Sequence, residues 1–177
     1  MDLNARPQAP HPDEALPPVP TFTLTSTSGE DGAVMPPSMT AAGGSNSPQL
    51  KWSGFPAETE SFVVTCFDPD APTLSGFWHW AIVDLPASIT ELPEGAGESD
   101  LTLDGPAFHI RGDSGEASYY GAAPPQGDRP HRYVFTVYAL DTPSLELDDD
   151  VTATVVSFNA LFHTLARASL TFTFQQK

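Results

Sequence analysis

His131-Arg132-Tyr133-Val134-Phe135-Thr136-Val137-Tyr138-Ala139-Leu140 is a run of aromatic and β-branched residues with no glycine or proline, and it reads as a strand long enough to cross a sheet. Two further apolar runs, residues 60–67 and residues 77–85, the second closed by Pro86, have the same character. Shorter strands are expected at 21–25, 49–52, 107–111 and 170–174. One long helix is expected over 151–168, where Val155, Phe158, Leu161, Phe162 and Leu165 recur at helical spacing after three aspartates that suit a helix N-terminus. The fold class is therefore mostly β.

With 177 residues, 40% of them hydrophobic, the chain fits one compact domain, placed at 21–177. Residues 1–20 hold six prolines and no apolar core, so they read as a disordered or loosely draped arm. The 23 acidic against 7 basic residues give a net charge of −16, which repels phosphate backbones and makes nucleic acid a poor partner. A solvated acidic surface is the simplest account of that charge. The lone cysteine, Cys66, lies in an apolar run and cannot form an internal disulfide, which gives no sign of an oxidising compartment. No stretch has the roughly 20 apolar residues needed to span a bilayer. A cytoplasmic protein without membrane insertion is expected.

Side chains alternate along a strand, so residues sharing a face can be grouped. Phe62, Val64, Cys66 and Asp68 form one row, Phe77, His79, Ala81 and Val83 a second, and His131, Tyr133, Phe135 and Val137 a third. Each apolar row carries a polar group at or near one end. If the strands share a sheet, a carboxylate, two imidazoles and a phenol converge. Singly, each has a plainer account: Asp68 and Asp70 flank Pro69 and suit a turn, while the histidines and Tyr133 suit ordinary strand positions.

Two longer blocks resolve the choice by resemblance. Asp68-Pro69-Asp70-Ala71-Pro72 with Trp78-His79-Trp80-Ala81-Ile82-Val83-Asp84-Leu85-Pro86, and Tyr120-Gly121-Ala122-Ala123-Pro124-Pro125-Gln126-Gly127 with His131-Arg132-Tyr133-Val134-Phe135, resemble the signatures of the phosphatidylethanolamine-binding protein family, its bacterial members in particular. The resemblance implies a β-sandwich of two packed sheets, one of mixed strand direction, with one long helix near the C-terminus and short helical turns. It also implies an anion pocket at a sheet edge that holds a phosphate-containing small molecule or a phospholipid headgroup, no cofactor, no catalysis, and a homodimer. Carried over residue by residue, the ligand-binding set is Asp68, Asp70, His79, Trp80, Ala123, Pro124, Pro125, His131 and Tyr133. The ammonium of a headgroup would lie against Asp70 or an aromatic face such as Trp78 or Trp80.

Two departures bear on that pocket. Many members have proline after the glycine where this chain has Ala122, so a looser loop is expected. The mammalian type also has a helical extension after the last strand, while this sequence ends three residues beyond Phe174, so an open pocket and a free sheet flank are expected and the Raf-kinase role is not carried over. Two other functions compete with ligand binding. A metal-dependent hydrolase would use Asp68, Asp70, His79 and His131 as ligands, and a protein-interaction or inhibitor module would act independently of the pocket. Ser75 lacks the elbow of an activated nucleophile.

Overall fold

The computed structural model describes residues 2–177. Thr23–Thr25 (β1), Leu50–Ser53 (β2) and Glu91–Leu92 (β5) form a three-stranded sheet in the order β1-β2-β5. Ser61–Asp68 (β3), Phe77–Pro86 (β4), Phe108–His109 (β6), His131–Leu140 (β7) and Thr164–Phe174 (β8) form a five-stranded sheet in the order β6-β4-β3-β7-β8. The two-residue β5 is too short to leave a signal in the sequence. The main core lies between the sheets, where Leu50 and Trp52 of β2 meet Phe62, Val64, Cys66, Trp80, Ile82, Phe135 and Phe172 of the larger one.

Neither sheet has mixed strand direction. All the pairings within them are antiparallel, and parallel contacts among the described residues occur as isolated bridges such as Val34–Thr173 and Thr40–Ala122. Each strand of the larger sheet lies beside a partner of opposite direction, which requires no crossover helix. The flank of β8 is not free either. Residues 32–35 run along it, with Gly32 N–H donating to Thr171 O (2.7 Å) and Met35 N–H to Thr173 O (2.8 Å).

The late helix is shorter than its periodicity suggests. It spans Ala153–Leu161 (α2), capped by the Thr152 hydroxyl, and residues from Thr164 onward belong to β8. The helix buries Ala153, Val156 and Ala160 against the outer face of the larger sheet. Phe158 and Phe162, the bulkiest residues at helical spacing, are not its buried stripe: they are 62% and 68% exposed. Small side chains let the helix approach the sheet closely, so the bulkier rings point away.

The proline-rich arm is docked rather than disordered. Its α-helical turn, Pro12–Ala15 (α1), lies over the outer sheet face. Arg167 of β8 donates to Asp13 Oδ1 (2.7 Å) and Pro17 O (2.9 Å), and Arg132 of β7 donates to Ala9 O (2.7 Å).

Candidate functional site

β3 ends at Asp68 and the chain turns back into β4. Along that pair Asp68 faces Phe77, Phe67 faces Trp78 and Cys66 faces Trp80, so His79 is an extra residue with no partner of its own. This β-bulge interrupts the period of two, and His79 and Trp80 both turn to the inner face. Ala81 and Val83, grouped with His79 by strict alternation, instead pack under α2 on the outer face. The bulge is what brings His79 to the end of the sandwich beside β7.

A cavity of about 190 Å³ opens there. Asp68, His79 and His131 line it together with the loop Ala123-Pro124-Pro125, while residues 71–73 and Phe77 complete the wall. Three members of the expected set lie elsewhere. Asp70 is buried and clamped by Arg132, whose Nε and Nη2 donate to Oδ2 (2.7 Å) and Oδ1 (2.8 Å), an arrangement that fixes the turn to β7. Trp80 is fully buried in the core behind the bulge. Tyr133 lies behind the wall with its ring edge-on to His79 at 5.1 Å, and its buried hydroxyl has no hydrogen-bond partner.

Each histidine is held differently. His131 Nδ1–H donates to Asp68 Oδ2 (2.7 Å) and Nε2–H to Asp128 Oδ2 (3.0 Å), so both ring nitrogens are occupied by carboxylates. Burial opposes its charge, but the two carboxylates outweigh burial and raise its pKa. It is a buried imidazolium whose protons are already spent. His79 Nδ1–H donates to the Tyr120 carbonyl (2.7 Å), which leaves Nε2 as a lone pair. Burial lowers the pKa of this ring, only partly offset by the Tyr120 carbonyl and by the more distant Asp68 and Asp113, with His131⁺ also opposing its charge, so the neutral form is favoured.

Asp128 was not among the expected residues. It is wholly buried, and Arg6 from the arm holds it with Nη1 on Oδ1 (2.9 Å) and Nη2 on Oδ2 (2.8 Å). Its position three residues before His131, just after the Pro-Pro-Gln-Gly turn, was the only signal the sequence offered. Asp68 also fulfils its plainer role, because its Oδ1 accepts the Asp70 N–H (2.8 Å) and so closes the turn.

The loop opposite is firmly seated. Gly121 lies so close to the 39–41 backbone that a Cβ would sit 2.4 Å from the Thr40 carbonyl carbon. Ala122 accepts the Ala41 N–H (3.0 Å) and donates a long bond to Met39 O (3.4 Å), which a proline could not give. The expected loosening is absent.

The four proposed metal ligands do not meet at one point, since Asp70 is taken by Arg132 and both nitrogens of His131 by carboxylates. No group of three or more His, Cys, Asp or Glu among the described residues is arranged to hold a metal. No helix among them is long and apolar enough to cross a membrane.

The model of the family described as phosphatidylethanolamine-binding protein matches residues 25–175. The chain belongs to this family. It is 50% identical to YbhB of Escherichia coli over 125 residues, covering 71% of this chain and 78% of YbhB. It is 46% identical to YbcL of the same organism over 130 residues, covering 73% and 71%. The crystal structure of E. coli YbcL, described as a new member of the mammalian family, superposes with a TM-score of 0.85 at 40% identity, over 88% of this chain and 99% of that one. A Chlamydia trachomatis homologue, CT736, gives a TM-score of 0.76 at 29% identity, over 89% and 99%.

Proposed function

We propose that this family member binds a small phosphate-bearing ligand, a phosphate ester or a phospholipid headgroup, in the His79 cavity, and that it acts by binding rather than by catalysis. The observation that carries this reading is the contrast between the two imidazoles: His131 is fixed in the wall with its charge balanced by its carboxylate partners, while His79 Nε2 is free to take up a proton or meet one. Ala123 supplies the one amide N–H in its stretch of the loop, since Pro124 and Pro125 have none. An ammonium end would lie against Phe77, the aromatic ring in the wall, because Asp70 and Trp80 are committed elsewhere.

The sign of the pH dependence follows from His79. Its pKa is depressed by burial, and a bound anion favours the protonated ring, so binding takes up a proton. Affinity falls as pH rises through the His79 titration, with a limit of about tenfold per pH unit for one proton. Calorimetry with inorganic sulfate, whose charge is fixed, from pH 5 to 8 is expected to show this decline in the wild type and its loss in His79→Gln. A flat wild-type profile overturns the role of His79. Tighter binding of phosphoethanolamine than of inorganic phosphate favours the headgroup, equal binding a free phosphate ester, and binding of neither overturns the reading.

A further inference from the structure

Arg6 belongs to the arm, outside residues 25–175 matched by the family model, yet it bears on the pocket. We propose that Arg6 is a positioning residue of the ligand site, whose charge keeps the wall of the cavity neutral; this rests on the phosphate-binding reading above. A continuous chain of alternating charge runs from the arm to the cavity. Arg6 grips Asp128 with both terminal nitrogens, Asp128 accepts from His131 Nε2, and His131 Nδ1 donates to Asp68, which with His131 lines the cavity. Two carboxylates, one imidazolium and one guanidinium sum to zero.

Without Arg6 the same cluster holds two carboxylates against one imidazolium. The residual negative charge stands behind the wall where an anion must bind, and because Asp128 is fully buried, water cannot screen it well. The Arg6 contact is also the foremost cause of the depressed pKa of Asp128, which keeps that carboxylate ionised and able to hold His131. The arm is built to present this side chain: Arg6 Nη1 also donates to Leu3 O (2.6 Å), Nη2 reaches the Asp70 carbonyl, and Arg129 donates to Asn4 O (2.9 Å) and to the Arg6 carbonyl. Of the seven basic residues in this acidic chain, four, Arg6, Arg129, Arg132 and Arg167, fasten the arm to the domain.

The test is a double-mutant cycle on inorganic phosphate binding, read by calorimetry on the full chain at constant pH. Arg6→Gln is expected to weaken binding roughly three- to tenfold. Arg6→Gln with Asp128→Asn restores neutrality and is expected to regain most of that loss, although it removes both halves of this one anchor of the arm. A purely structural role for Arg6 predicts the reverse, a double variant no better than the single one, and that result overturns the proposal, as does an Arg6→Gln variant with unchanged affinity. If the wild type binds no phosphate, the functional reading itself has failed. In that case the ring N–H signals of His131 still decide the positioning: a displaced Nε2–H resonance in Arg6→Gln supports it, and an unchanged spectrum overturns it.

Discussion

At the scale of single residues, Tyr133 separates stability from function. A buried hydroxyl without a partner costs on the order of 1–3 kcal/mol in desolvation. Burial also raises its pKa, so it stays a neutral donor across the working range. Tyr133→Phe removes the orphaned group while leaving the ring against His79, so thermal stability is expected to hold or rise, while phosphate affinity stays within about twofold of wild type. A variant that binds several-fold more weakly than wild type would bring the hydroxyl into the site. Asp68, His79 and His131 were legible because each places a polar group at or near the end of an apolar row. Asp70 was not separable from Asp68, because the two acids of Asp68-Pro69-Asp70 differ only in their distant partners, Arg132 for one and His131 for the other. Asp128 escaped because its meaning depends on Arg6, 122 residues away.

At the scale of elements, β7 was read to the residue because its composition left no competing structure. The helix was misread because large aromatic residues dominate a periodicity count, whereas close packing on a sheet selects small ones. The bulge at His79 is invisible to alternation for a related reason: one inserted residue changes the phase of everything after it without altering the composition. The inverted helix faces are directly testable. Val156→Ala removes two methyl groups from a fully buried position and is expected to cost about 1–2 kcal/mol. Phe158→Ser, at a ring more than half exposed, is expected to cost under about 0.5 kcal/mol. Denaturant midpoints in the opposite order would restore the aromatic stripe as the buried one.

At the scale of the whole molecule, net charge decides how copies of this chain meet. Four of its seven basic residues are spent on the arm seam, so Lys51, Arg111 and Lys177 are the basic residues left to offset the surface acids. Self-repulsion then opposes both compaction and association. Raising salt from about 0.01 M to about 0.1 M shortens the screening length from about 30 Å to about 10 Å, which weakens repulsion between distant surface acids but leaves buried pairs such as Asp70–Arg132 nearly untouched. A homodimer, which we propose from the likeness to bacterial members, brings two charges of −16 together and is therefore expected to tighten with salt. Few exposed ion pairs are available to be screened away; Lys51–Glu91 at 3.5 Å is one. Sedimentation at tens of micromolar across that salt range should show the dimer fraction growing. A mass that stays at 18.9 kDa throughout would remove the dimer, and a dimer that dissociates as salt rises would mean that complementary charge, rather than apolar contact, holds the copies together.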